Sequence, residues 1–303
     1  MVAIDLGSNT LRVLQRDCKN GKHIAEFEKI VKTADGLAER GEISDAAVER
    51  IVTALKEVQE KIDFSREKVR AVTTEAIRSA SNGKDVLNVI QKATGVAFEV
   101  IGGEEEARLT LLAVKYRLEK LQYASDSFVL VDIGGGSTEL IFSYRDEVVS
   151  KSFPVGIVTI AQRYETLDAI EEALSKEMFG MQMFCAEVYA TRGKVGSFIA
   201  TAGTPTTVAA MKLGQSYATY DASKVNGTSL HVDELDFYLK RLLSMPLPER
   251  ELAVGTGRSD LIAAGILIYK ALYNLLEFEN CIVIDDGLRE GVALEACRTV
   301  QNV

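Results

Sequence analysis

Twice in this chain an apolar run reaches an aspartate, then one more apolar residue, and passes into a small-residue turn rich in hydroxyls, after which the apolar pattern resumes. The first copy is VAIDLGSNTLRVL (2–14) and the second is VLVDIGGGSTELI (129–141). Each predicts a strand, a tight turn and a second strand. Asp5 and Asp132 hold the same place in the two copies, and the copies lie close to half a chain apart. This is a weak internal duplication, and it predicts two related α/β domains. Gly134, Gly135 and Gly136 pack nothing and lose the most backbone freedom on folding. A turn built that way lets something approach the main chain closely. Successive N–H groups in such turns form concave nests for anionic oxygens. An aspartate at a strand end can hold a divalent cation. The turn residues Gly7, Ser8, Asn9 and Thr10, and Gly134, Gly135, Gly136, Ser137 and Thr138, are therefore candidate phosphate contacts. Asp5 and Asp132 are candidate metal ligands. The alternative is a pair of plain tight β-turns, and it weakens when two matching copies occur in one chain.

The remaining pattern fits around these copies. HIAEFEKIVK (23–32) continues the first as a third strand. SDAAVERIVTALKEVQEKI (44–62) has apolar residues at helical spacing with Ser44 as N-cap. KVRAVTTEAIR (68–78) reads as strand then turn, and GKDVLNVIQKATG (83–95) as a helix closed by Gly95. EEEARLTLLAVKYRLEKL (104–121) is amphipathic, with three acids at its positive end. SFIATAGTPTTVAAM (197–211) and CIVIDDGLREGVALEAC (281–297) are each strand, turn and helix. LIAAGILIYKALYNLL (261–276) is too short to span a bilayer and contains Lys270, so it is expected to be a core helix. The expected domains are 1–120, joined by the C-terminal helix 289–303, and 121–288. The polar stretch 115–127 is the expected boundary and hinge of a closing motion.

Net charge is −9, which argues against DNA or RNA as partner but not against an anionic small molecule. Cys18, Cys185, Cys281 and Cys297 show no metal-site spacing, and His23 and His231 join no cluster. The cysteines are expected as reduced thiols of a cytoplasmic protein. The first strand follows Met1 directly, so no signal peptide and no membrane association are expected.

Beyond the two turns, GLAERGEISDAAVERIVTAL (36–55), TTEAIR (73–78), IGGEEEARL (101–109), TAGTPTTVAA (201–210), GRSDLIAAG (257–265) and DDGLREG (285–291) occur in order. Together they resemble the exopolyphosphatase/guanosine pentaphosphate phosphatase family, in a short two-domain form, over nearly the whole chain. The resemblance implies an α/β fold of two ribonuclease-H-like domains of the actin/Hsp70/sugar-kinase superfamily facing a central cleft. It implies a Mg2+-dependent hydrolase that releases terminal orthophosphate from inorganic polyphosphate, from guanosine pentaphosphate, or from both. It singles out Glu106 as the base that activates water, whereas Glu104 and Glu105 also fit a plain helix-dipole role. It assigns Asp132 and Glu139 to Mg2+, and Arg78, Gly203 and Thr204 to phosphate.

Other uses of these residues stand beside those roles. Arg78 can instead pair with Glu75, and Pro205 removes one N–H from the 202–207 turn. Arg258, Asp260 and Arg289 fit structural ion pairs at least as well as substrate contacts. No compact basic run marks a polyphosphate groove; Arg12, Arg16, Lys32, Arg40 and Lys84 are scattered. A homodimer is left open. The competing functions are an ATP-dependent small-molecule kinase of the same superfamily and a non-catalytic nucleotide-binding sensor.

Overall fold

The computed structural model describes residues 1–123, 126–255, 258, 259 and 261–301. The chain divides into two compact units. One is Met1–Ala113 together with the chain from Gly287 onward; the other is Val114–Asp286. Asp260, an expected ion-pair residue, lies outside the described residues.

The first unit holds β1 (Val2–Leu6), β2 (Thr10–Arg16), β3 (His23–Ile30), β4 (Val69–Thr73) and β5 (Phe98–Val100), in sheet order β3-β2-β1-β4-β5. β1, β2 and β3 form an antiparallel meander, and β4 and β5 continue parallel to β1. The second unit holds β6 (Phe128–Ile133), β7 (Thr138–Ser143), β8 (Val148–Phe153), β9 (Ser197–Thr201), β10 (Thr228–His231) and β11 (Asn280–Val283). Its order is β10-β11-β9-β6-β7-β8. Again a meander, β6-β7-β8, is followed by parallel strands β9 and β11; β10 adds antiparallel to β11. Both units thus have the ribonuclease-H-like strand order that the family resemblance implied.

Local chemistry sets several element ends. The Ser44 hydroxyl accepts from the Ala47 N–H and opens the helix Asp45–Lys61. Gly95, at φ 75°, closes the helix Gly83–Thr94 in a conformation that glycine adopts without a Cβ penalty. The apolar stretch near 261 forms the helix Ile262–Leu276, buried around most of its circumference. Its Tyr269 and Tyr273 pack on Phe198 in the second unit's core, and the Tyr273 hydroxyl donates to the Leu230 carbonyl at 3.0 Å. In the first unit, Ala3, Leu14, Val72, Ile101 and Leu109 pack against Leu288, Val292 and Ala293 of the helix Leu288–Gln301. Among the described residues no helix is long and apolar enough to cross a membrane.

One expectation is overturned. Cys185 and Cys281 are buried thiols, but Cys18 and Cys297 are joined in a disulfide 279 residues apart in sequence. Spacing along the chain carries no sign of that contact, because the two residues meet only when the last helix returns to the first sheet.

Candidate functional site

In each unit, the residues singled out by sequence lie at or just after the carboxyl ends of adjacent parallel strands, or at the start of the antiparallel strand that follows the turn, and α/β sheets commonly bind ligands at such carboxyl ends. In the first unit, β1, β4 and β5 end in register at Leu6, Thr73 and Val100. The turn 7–9, the helix Glu75–Ser79 and the helix Gly103–Lys120 leave from these ends. Thr73, fully buried, ties them together: its hydroxyl donates to the Leu6 carbonyl at 2.8 Å, and its carbonyl accepts from the Ile101 N–H at 3.0 Å. The Ile101 carbonyl in turn accepts from Arg78 Nη1 at 2.7 Å. Arg78 also pairs with Glu75, and its Nη1 lies 3.8 Å from Glu106 Oε2. The arginine thus makes the local ion pair that its spacing from Glu75 allowed, and it also stands beside Glu106. Glu106 sits in the first turn of its helix and is only 9 % exposed. Glu105 faces elsewhere: Arg108 binds it through two hydrogen bonds and holds its carboxyl below the usual range.

The first turn is closed by a Gly7 N–H to Thr10 carbonyl hydrogen bond of 3.0 Å. The Ser8 carbonyl accepts from Ala34 N–H, and the Asn9 carbonyl from Val31 and Lys32 N–H. Among the described residues no peptide bond is cis. In a planar trans peptide the N–H points opposite to the preceding C=O. The Asn9 N–H therefore faces away from the 31–34 segment that covers the turn. Asp5 lies on β1 opposite Arg12 of β2, and Arg12 pairs with Glu28 at 3.1 Å. Arg16 contacts His23, and Arg40 donates to the Asp35 carbonyl. Three of the scattered basic residues are thus engaged within the unit.

The second unit repeats the device. Gly134 N–H donates to the Ser137 carbonyl at 2.9 Å. The Gly134 carbonyl accepts from Ile157 N–H, and the Gly135 carbonyl from Val158 and Thr159 N–H, at the start of the helix Ile157–Arg163. The same peptide geometry turns the Gly135 and Gly136 N–H groups away from that helix. A methyl on Gly156 would overlap the backbone of Gly135 and Gly136, and one on Gly134 would lie 3.0 Å from the Ser137 carbonyl oxygen. Glycine is therefore required here by close packing.

Strand register lines up Ser152, Glu139, Asp132 and Thr201 across β8, β7, β6 and β9, on one face of the sheet. Glu139 is 1 % exposed, and its Oε1 accepts from Ser137 Oγ at 2.8 Å and from Ser152 Oγ at 2.6 Å. Thr138 turns its hydroxyl to the Val155 carbonyl. The Thr201 hydroxyl donates to the Asp286 carbonyl at 3.0 Å, and Arg117 grips the Asp286 carboxylate through two hydrogen bonds. Ala202 follows at φ 74°, ψ −172°, a region that is nearly glycine-only. It leads into the helix Gly203–Lys212. Thr204 lies inside that helix, 1 % exposed, with its hydroxyl packed on Gly265; Gly203 leaves open space.

Among the described residues no three acids, histidines or cysteines form a ready-made metal cage. Asp132 and Glu139 nonetheless suit Mg2+, which binds through one or two carboxylates and keeps waters and phosphate oxygens as its other ligands. Arg289 pairs with Glu290 and Glu26 inside the first unit, and Arg258 lies over the Tyr217 ring. His231 caps the helix Val232–Ser244. Sequence reasoning missed Thr73, Ser152 and Gly156. A glycine directly before the apolar run IVTIA was a usable signal for the last, and pairing the three-strand meander would have put Ser152 beside Glu139.

Residues 14–299 match the model of the Ppx/GppA phosphatase family. Exopolyphosphatase 2 of Mycobacterium tuberculosis is 30 % identical, over 97 % of this chain and 97 % of its own length. Exopolyphosphatase 1 of Mycobacterium leprae is 27 % identical, over 96 % and 87 %. Among solved structures, a Ppx/GppA enzyme of Aquifex aeolicus has a TM-score of 0.74 at 32 % identity, over 97 % of this chain and 98 % of its own. An exopolyphosphatase of Cytophaga hutchinsonii reaches 0.85 at 23 %, over 98 % and 97 %, a likeness of fold.

Proposed function

Because the chain belongs to the Ppx/GppA phosphatase family, we propose that it hydrolyses a terminal phosphoanhydride and releases orthophosphate. The substrate we assign is inorganic polyphosphate, guanosine pentaphosphate, or both. Relatives matching over nearly the full chain are named exopolyphosphatases, which supports the first. The observation that carries the reading is the pairing of Glu106 with Arg78 at the carboxyl edge of the first sheet. A nearly buried carboxylate beside a guanidinium combines a proton acceptor for water with a cation suited to phosphate oxygens.

In this reading the Asn9, Gly135 and Gly136 amides bind phosphate oxygens, each within its own unit's turn. Ser8, Ser137 and Gly203 add contacts. Arg78 holds the terminal phosphoryl group. Glu106 accepts a proton from the water that attacks the terminal phosphorus, and the bond to the bridging oxygen breaks. Asp132 and Glu139 are the acids we assign to Mg2+ in the second unit, where the ion when bound supplies charge neutralisation on phosphates, and Asp5, opposite Arg12, is the weaker candidate within the first.

The test is orthophosphate release from long-chain polyphosphate and from guanosine pentaphosphate, side by side with Mg2+. Glu106→Gln is expected to lower release by roughly 10²–10⁴-fold while the protein stays folded. The ratio of the two wild-type rates names the preferred substrate. No release from either substrate overturns the hydrolase reading; release untouched by Glu106→Gln keeps the activity and removes Glu106 as its base.

A further inference from the structure

The first unit is discontinuous. Its sheet and early helices come from the chain before Ala113, and its last helix returns from Gly287 onward. The helix Leu288–Gln301 is held in three different ways along its length. Near its start, Leu288, Val292 and Ala293 join the apolar core, and Gly291 is so close to the Leu109 carbonyl that a methyl there would overlap it. One turn on, Glu295 pairs with both Arg70 and Arg108; burial disfavours its charge, but the two guanidinium groups outweigh this and keep its carboxyl below the usual range. At the far end, Cys297 is bonded to Cys18, beside Met1 and Ala296. Cys18 lies in the turn between β2 and β3, which is closed by Asp17 N–H to Lys22 carbonyl and Gly21 N–H to Asp17 carbonyl hydrogen bonds. The two Cα atoms are 5.0 Å apart, within the span a disulfide bridges without moving the backbone.

We propose that Cys18 and Cys297 form a thiol–disulfide latch that fastens the far end of the C-terminal helix to the first unit and opens under reducing conditions. The bond is the sole covalent tie, other than the chain itself, between the two segments of this unit among its described residues. It closes through thiol–disulfide exchange with a small disulfide such as oxidised glutathione. Cys18 is partly exposed and Cys297 is buried. The Cys18 thiolate therefore attacks first, releasing one glutathione thiol and leaving a mixed disulfide. The Cys297 thiolate displaces the second glutathione. Two protein thiols are oxidised, one glutathione disulfide is reduced to two thiols, and both protons go to the departing glutathione. A dithiol reductant reverses the sequence. With the latch open, the core contacts, Gly291 and Glu295 still hold the near half of the helix, so the far end opens locally. Cys185 and Cys281 take no part: both are buried in the other unit, and burial pushes the Cys185 thiol up to about 12.

The experiment compares the full chain equilibrated in oxidised glutathione with the same chain in dithiothreitol. Thiol titration after denaturation is expected to give two thiols in the first and four in the second, with a Cys18–Cys297 linked peptide seen by mass spectrometry only in the first. Reduction is expected to lower Tm on the order of 10 °C, because the bond closes a very long loop in the unfolded chain. Amide exchange is expected to speed up at residues 294–298 more than at 288–292. Cys18→Ser should melt like the reduced wild type in both buffers, while Cys185→Ser keeps the redox response. The wild-type comparison stands even if a variant does not fold. Four thiols in oxidised glutathione, or a bond whose reduction changes neither Tm nor exchange at 294–298, overturns the proposal.

Discussion

The two strand–turn–strand copies, 5–12 and 132–139, share a backbone device and differ in what surrounds it. Each turn is closed by the hydrogen bond from the glycine after the aspartate and apolar residue to the carbonyl three residues on, at 3.0 and 2.9 Å. In each, loop carbonyls are taken up by a following segment, which turns amides outward. But the first turn is covered by an irregular segment, and Gly7 has ordinary room: a methyl there would lie 3.6 Å from the Thr10 carbonyl oxygen. The second is pressed on a helix start through Gly156. Across the strand pair the first copy places Arg12 opposite Asp5, whereas the second places Glu139 opposite Asp132. One duplicated backbone thus carries two chemistries: acid opposite base in one unit, and two acids on one face in the other. The second arrangement suits a cation and the first does not, which is why we weight Asp132 and Glu139 above Asp5 for Mg2+.

The packing difference is the most breakable part of this comparison. Gly156→Ala is expected to destabilise the second unit by about 2–3 kcal/mol, since the new methyl meets main chain that cannot step aside. Gly7→Ala is expected to stay within about 1 kcal/mol of wild type, since its methyl has ordinary room. Chemical denaturation of both variants checks this; equal losses of stability would show that the two turns are packed alike.

A smaller effect, of opposite sign, is expected at the strand-to-helix junction beside the second turn. Ala202 occupies a backbone region that costs non-glycine residues about 1–3 kcal/mol. Ala202→Gly is expected to raise stability by about 1 kcal/mol after its greater unfolded-state freedom is subtracted. A destabilised Ala202→Gly variant would mean that the methyl contributes packing that outweighs the strain.

The smallest expected effect separates the units by pH. The His23 hydrogen bond, opposed by burial and reinforced by Arg289, lowers the Glu26 carboxyl to about 2. A depressed carboxyl stabilises the fold above its unfolded value and loses that contribution as pH falls toward the folded value. The first unit should therefore lose stability between about pH 4.5 and 2 through this group. Glu26 is nearly half exposed, so solvent screening keeps the effect below about 1 kcal/mol. Glu26→Gln should flatten the acid limb of a Tm-against-pH curve; an unchanged limb would assign the acid sensitivity to other carboxylates.

Much of this molecule was legible because its signals are local. The Asp–Gly turns, the Ser44 cap, the Gly95 stop and the uniformly apolar helix near 262 each depend on neighbours within a few residues. The family motifs singled out Glu106 and Arg78, and their proximity follows from three parallel strands ending in register. What stayed hidden was contact across long separations. Thr204 reads as a turn hydroxyl in sequence, but it is buried against Gly265. Glu139 reads as one acid among many until Ser137 and Ser152 close on it.

By itself, then, the sequence determined two α/β units, each with an aspartate near the end of its first strand and a glycine-bearing turn after it, because strand alternation and glycine's conformational freedom act over a handful of residues. Only the tertiary structure decided which side chains oppose one another across β6 and β7, which glycines have no room for a methyl, and that Cys18 meets Cys297. Those outcomes depend on register and on the return of the last helix. Both are set by packing among residues up to nearly the whole chain apart, where no local propensity reaches.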